Sequence, residues 1–272
     1  VGFCFKVSIV PFHMWTPDVY EGSPLPVTAY MSVAVKAGVF LTFFRVFAVY
    51  LEGVHYSWSN VLWCLSVFTM IGANLVALTQ NNVKRLLAYS GIAHSGYLLI
   101  TLIANNATSQ SGLLFYLSAY VLGNLGLFAG IAFVSNQSEE KLDVESYAGL
   151  GIKYPFVALA LTVFLFSLGG FPGTGGFIGK FLILQGALQD NYIFLCVALV
   201  LSTLISYWYY LRIAWFMWMK DPLDQSGDES SPSGPSPVML RSLLIFTSVL
   251  IVFLGIFPSK WIEFVGFAAL IK

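Results

Sequence analysis

Charge is scarce in this 272-residue sequence: only 10% of its residues are Asp, Glu, Lys or Arg, against about 25% in soluble domains. So little charge cannot cover a water-facing surface, which excludes an ordinary soluble fold. The few charges also balance, 13 basic against 13 acidic, leaving no electrostatic case for nucleic acid or an acidic substrate. Cysteine is rare as well. Cys4, Cys64 and Cys196 stand singly in apolar stretches, without the Cys-x-x-Cys spacing of a metal or iron–sulfur site, and read as small core hydrophobes. A Gly-rich phosphate loop, a nucleophile triad and a metal-ligand cluster are missing too. No catalytic residue, no metal and no cofactor is therefore assigned to this chain.

What fills the sequence instead is apolar: 58% of residues are hydrophobic and the mean hydropathy is +0.80. Residues 86–138 contain no Asp, Glu, Lys or Arg, and the runs 53–83, 154–179, 191–211 and 242–259 are equally uncharged. Each can supply at least one membrane span of about 20 residues. The expected fold is all-α, a polytopic transmembrane helix bundle. The chain opens on Val1 in what reads as the middle of a helix, so a fragment of a longer protein is expected, and no basic flank or cleavage site marks a signal peptide.

The pattern predicts a truncated span at 1–12 and complete spans near 26–50, 59–79, 84–104, 111–134, 155–188, 191–217 and 239–257. Residues 1–257 then form one transmembrane domain of one partial and seven complete spans, and 258–272 a C-terminal tail. Lys84 and Arg85, Lys141 and Lys153, and Lys220 and Arg241 collect in connections on one face. That face is expected to be cytoplasmic. The Pro/Ser/Gly-rich stretch 221–237 reads as a flexible loop.

Against this apolar background three lysines stand out: Lys6, Lys36 and Lys180. An ammonium at mid-membrane costs about 2.5–3.5 kcal/mol on insertion scales, and a buried lysine can give up its proton readily, as a relay must. Two of the three lie beside helix interruptions. As one helix, 155–188 would be about 50 Å long, too long for a hydrocarbon core of about 30 Å. The run from Gly169 to Gly176 must interrupt it, with Pro172 removing a donor and Gly173 easing the unwinding. Lys180 follows closely. Lys6 similarly precedes a break at Pro11. Paired discontinuous helices point to an inverted-repeat transporter core. Lys36 sits near the middle of its span with Ser32 one turn earlier, whereas Arg45 is placed to snorkel.

Polar side chains also recur at helical spacing: Ser90, His94, Tyr97 and Thr101; Tyr116, Tyr120 and Asn124; Ser202, Ser206 and Tyr209. Such stripes face protein or water. They read either as interhelical hydrogen bonding or as the lining of a hydrated proton path, with Ser32, Ser90, Tyr97, Tyr120, Asn124 and Ser206 its lining and His94 a relay, since imidazole titrates near neutral pH. Gly126 and Gly130 have the spacing of a close-packing motif. Asp18 and Glu21 read equally as helix-capping residues and as an ion entrance.

At this point the wording of the chain matters. The run from Phe5 to Val27, with Thr16-Pro17-Asp18-Val19-Tyr20, resembles the signature of the antiporter-like subunits of respiratory complex I, and the subunit N branch more than L or M. Lys84-Arg85-Leu86-Leu87-Ala88-Tyr89-Ser90, Ala93-His94-Ser95-Gly96-Tyr97, and Gly176-Phe177-Ile178-Gly179-Lys180-Phe181 agree. The resemblance implies an inverted-repeat antiporter-like fold, with Lys6 at the first broken helix, Lys36 central and Lys180 at the second. The family's glutamate partner for Lys6 belongs to a helix outside this sequence. The second break departs from the usual Pro-Pro-Thr-Ala wording, reading Pro172-Gly173-Thr174-Gly175.

The resemblance implies proton translocation through Lys6, Lys36, His94 and Lys180, coupled to quinone reduction elsewhere. NADH, FMN, iron–sulfur clusters and quinone would reside in partner subunits of the membrane and peripheral arms. The setting would be a lipid bilayer, a bacterial inner membrane or another energy-transducing membrane such as the thylakoid, with no nucleic acid. The rival readings are a subunit of a multisubunit cation/proton antiporter or membrane-bound hydrogenase, and a purely structural helical subunit.

Overall fold

The structure is a computed structural model that describes residues 1–135, 142–222 and 237–270. Most of the predicted 221–237 loop, and the loop lysine Lys141, lie outside those residues. Helices dominate, and the only β-type pairing among the described residues is an isolated antiparallel bridge between Asn82 and Asp143.

The chain begins with a short helix α1 (Gly2–Lys6), then α2 (Trp15–Gly22). One continuous helical rod follows from Leu25 to Tyr50. It is α-helical in α3 (Leu25–Tyr30) and α4 (Lys36–Phe44) and widens to π-helix at Met31–Val35 and Arg45–Tyr50. Then come α5 (His55–Ala77), α6 (Val83–Ala104), α7 (Ala107–Ser135), the single turn α8 (Leu150–Lys153), α9 (Pro155–Gly169), α10 (Gly175–Gln189), α11 (Ile193–Met219), α12 (Pro237–Ile256) and α13 (Ser259–Leu270). Among the described residues, six helices are long and apolar enough to cross a membrane. α13 occupies residues that the sequence pattern leaves as a tail.

α6 is the axis of the bundle. Leu86, Ile92, Leu98, Leu99, Ile100 and Leu102 along it are fully buried, and its N-terminus is capped by the Asn82 side chain, which accepts from the Arg85 amide at 3.2 Å. The peripheral helices instead leave large apolar side chains exposed on their outer faces, among them Val61 and Phe68 on α5 and Leu204, Trp208 and Leu211 on α11. That is the arrangement of a bundle whose solvent is lipid. α7 presses against α9 where Gly126 and Gly130 admit Phe164 and Leu161: a Cβ on Gly126 would lie 2.2 Å from the Phe164 ring.

Both helix breaks have local causes. α9 stops because Gly170 takes a left-handed conformation (φ 87°), and the amides of Gly170 and Phe171 fold back to Phe166 O at 2.9 and 2.8 Å. Pro172 comes two residues later, so it prevents continuation rather than ending the helix as the sequence suggests. Near the N-terminus the helix ends at Lys6, four residues before Val10, with Ser8 left-handed (φ 62°). The break there also precedes Pro11. It is held by side chains: Ser8 Oγ pairs with Thr16 Oγ1 at 2.5 Å and Val10 N donates to Thr69 Oγ1 at 3.1 Å.

Candidate functional site: a buried lysine–tyrosine–histidine line

Lys180 stands one and a half turns into α10 and reaches back to the end of α9. With Phe166 O and Ser167 O already taken by the amides that close α9, the carbonyls of Leu168 and Gly169 remain free. Lys180 Nζ donates to both, at 3.0 and 2.8 Å. The next carbonyl, of Gly170, accepts from the Tyr207 hydroxyl at 2.9 Å. The broken helix thus supplies a ready-made cation site, with the negative end of the α9 dipole adding about 0.3–1 kcal/mol. The half-helices cross so closely that a Cβ on Gly176 would lie 1.8 Å from Ser167 O, and Gly176 N donates to Ser167 Oγ at 3.1 Å.

Lys36 follows directly on the π-helical turn Met31–Val35, and its Nζ donates to Gly91 O on α6. Gly91 has no side chain to obstruct this approach; a Cβ there would lie 3.2 Å from Lys36 Nζ and 3.3 Å from the Tyr120 hydroxyl. Lys36 and Lys180 are each only 5% exposed, and no carboxylate pairs with either among the described residues. Both ammonium groups are held by backbone carbonyls and aromatic faces.

Those faces join the two lysines. Lys36 Nζ sits 5.4 Å from the Tyr120 ring centre and Lys180 Nζ 4.8 Å from that of Tyr97, contacts worth about 2 kcal/mol when desolvated. His94 lies between them, its ring 5.2 Å from Tyr120 and 5.4 Å from Tyr97. Its Nδ1 is hydrogen-bonded to the Tyr116 hydroxyl, and its Nε2 lies 3.1 Å from that of Tyr210, which in turn bonds Ser90 Oγ. On the Lys180 side, Tyr97 OH meets Ser202 Oγ at 2.9 Å and Asn74 Nδ2 at 3.3 Å, and Tyr209 OH donates to Asn74 Oδ1 at 2.7 Å.

The structure therefore gathers Lys36, Tyr120, His94, Ser90, Tyr97 and Lys180 into one buried line. Ser32, Asn124 and Ser206 are buried but turn to their own helices, donating to Ala29 O, Tyr120 O and Thr203 O at 2.9, 2.9 and 2.6 Å; none bonds to the lysines or to His94. Lys6 stands apart, exposed at the end of α1. Asn74 and Tyr210 escape the sequence analysis. Tyr210 carries a signal, since it lies four residues after Ser206 on the polar stripe of α11, and Asn74 is one of two asparagines in the uncharged α5.

Lys84 and Arg85, counted as loop charges in the sequence, belong to the first turn of α6. Lys84 is buried and donates to Glu21 O and Ser23 O at the end of α2. Arg85 Nη1 pairs with Asp18 and Glu21, both at 2.8 Å. Among the described residues no cluster of His, Cys, Asp and Glu could hold a metal ion.

Discontinuous helices on either side of a buried, lysine-bearing polar line define an antiporter-like membrane helix bundle. A family profile described as NADH:quinone oxidoreductase/Mrp antiporter, transmembrane, matches residues 1–206, and the chain belongs to that family. It is 46% identical over 97% of its length to NADH-quinone oxidoreductase subunit N of Trichlorobacter lovleyi and 40% identical over 97% to subunit N 1 of Solibacter usitatus. It spans about half of these curated relatives, 53% and 54% respectively. Among solved structures, it resembles a chain of respiratory complex I from Thermus thermophilus with bound aureothin, at 35% identity and a TM-score of 0.80, covering 96% of this chain and 56% of that one. A chain of the Mrp complex from Dietzia shares the fold at a TM-score of 0.87 with 21% identity, over 98% and 57% of the two chains.

Proposed function

We propose that this chain carries protons within a membrane-arm subunit of NADH-quinone oxidoreductase, of the subunit N type. The observation that carries the proposal is the unbroken sequence of side chains Lys36, Tyr120, His94, Tyr97 and Lys180, each packed on the next inside the bundle. Two lysines without carboxylate partners, among the described residues, are poor structural ion pairs and good proton stations. Each ammonium is held by carbonyl oxygens that can accept a hydrogen bond from it but cannot take its proton, which leaves that proton available to the polar groups packed beside it. His94, hydrogen-bonded at both ring nitrogens, is the bridge between the lysine sites. Lys6 is a third station, at the first helix break, and Pro11, Pro172 and Gly173 belong to the flexible segments that the breaks provide.

Electron transfer belongs to other subunits in this reading, with NADH, FMN, iron–sulfur clusters and quinone held there. The partners of this chain are those membrane-arm and peripheral-arm subunits and the lipid of a bacterial inner membrane. Each proton moved against the membrane potential requires about 2.3 kcal/mol per 100 mV. The 46% identity to a subunit N supports this reading over a cation/proton antiporter. Lys36→Ala in the full-length protein tests it: an assembled complex should move fewer protons per NADH oxidised. Unchanged translocation in an assembled complex would leave Lys36 a structural residue.

A further inference from the structure

Ser95 lies between the first helix break and the Lys36 site. It is fully buried on α6, one turn beyond Gly91. Its Oγ is 2.6 Å from Val7 O, the carbonyl that follows Lys6 at the end of α1, and 3.2 Å from Gly91 O, the carbonyl that holds Lys36. A serine hydroxyl has one proton to donate. It can satisfy one of these two carbonyls at a time, and in the observed geometry the shorter contact is to Val7.

From this we infer that Ser95 is a positioning residue that couples the state of the α1–α2 break to the grip on Lys36. The inference rests on the relay role proposed for Lys36. While the break is closed, Val7 O occupies the Ser95 hydroxyl and Gly91 O is left to the Lys36 ammonium. When the segment around Val7 moves away, the hydroxyl rotates to Gly91 O in the back-bond to residue i−4 that helical serines readily make. It then competes with Lys36 for the same carbonyl and loosens its hold. The break is suited to such movement. Helix α1 ends there, Ser8 sits in the left-handed region unusual for a non-glycine residue, and while the amides of Val7, Ser8 and Ile9 fold back onto α1 carbonyls, the Val7 carbonyl and the Ser8 hydroxyl are held by the side chains of Ser95 and Thr16. Coupling through a shared hydroxyl is reciprocal: the occupant of the Lys36 site must influence the break as much as the break influences Lys36.

Hydrogen–deuterium exchange of peptides covering residues 5–12, in the assembled complex containing the full-length protein, tests the reciprocity without reading proton pumping. Lys36→Met frees Gly91 O for Ser95, so exchange at 5–12 should quicken by about three- to tenfold, the scale of one hydrogen bond. In a Ser95→Ala background exchange is already fast, and adding Lys36→Met should change it less than about twofold. Ser95→Cys, a poor donor of nearly the same size, serves the same comparison if the alanine variant does not assemble. Exchange that Lys36→Met leaves unchanged, or quickens equally with and without the serine, would overturn the coupling. Should Lys36→Ala fail to lower proton translocation while this coupling holds, it is the relay reading that falls and not the contact.

Discussion

His94 Nε2 lies 3.1 Å from the Tyr210 hydroxyl, and the same hydroxyl bonds Ser90. Tyr210 therefore fixes the orientation of the one imidazole between Lys36 and Lys180 from a helix, α11, that carries neither lysine. A proton bridge needs such support, because a ring free to turn would present its nitrogens at random.

Replacing His94 with Gln keeps a polar side chain but removes the titrating ring. Proton translocation in the assembled complex should slow by about a hundredfold, the weaker end of what a positioned acid–base group contributes. A rate equal to wild type would return His94 to the role of interhelical hydrogen-bonding partner.

Tyr210→Phe deletes one hydroxyl and leaves two buried partners, His94 and Ser90, each short of a contact. The expected cost is about 1–3 kcal/mol of stability, measurable as a lower melting temperature of the purified complex, together with slower translocation. Tyr207→Phe, which loses only its bond to Gly170 O at 2.9 Å, should cost less.

Gly176→Ala forces a methyl group to within 1.8 Å of Ser167 O at the crossing of α9 and α10. Overpacking of this kind costs about 1–3 kcal/mol or more, and the half-helices should separate enough to lower assembly yield. Gly72→Ala, where the new Cβ meets nothing within 4 Å, should be neutral or slightly stabilising through helix propensity.

Arg85→Gln removes the pairs with Asp18 and Glu21. Asp18 is 72% exposed and Glu21 42%, so stability should fall by no more than about 1 kcal/mol, and less in high salt. A large loss of proton uptake in this variant would instead favour the ion-entrance reading of the two acidic residues.

Much of this arrangement was legible in the sequence because a membrane makes charge conspicuous. Lys36 and Lys180 stand out from long uncharged runs, and Gly169 to Gly176 marks a break that span length alone demands. What could not be read was direction. The polar stripe of α7 places Tyr120 and Asn124 one turn apart on one face, yet Tyr120 meets Lys36 while Asn124 satisfies its own helix, a choice made by the packing of neighbours. Lys84 shows the same limit: its type and position near a turn suggest a charge at the loop face, and only the packing of α2 on α6 reveals the two carbonyls that hold it. Gly170 ends α9 through its backbone conformation, which Pro172, two residues on, obscures. Asn74 makes sense only once α5 and α11 are in contact, because its partners Ser202 and Tyr209 are more than a hundred residues away in sequence.

The most direct test is Lys180→Met, which replaces the cation by an apolar side chain of similar length, in the full-length protein within its assembled complex. Protons moved per NADH oxidised should fall in inside-out membrane vesicles while assembly is retained. A ratio equal to wild type in a fully assembled complex would contradict the proton line through Lys36, His94 and Lys180.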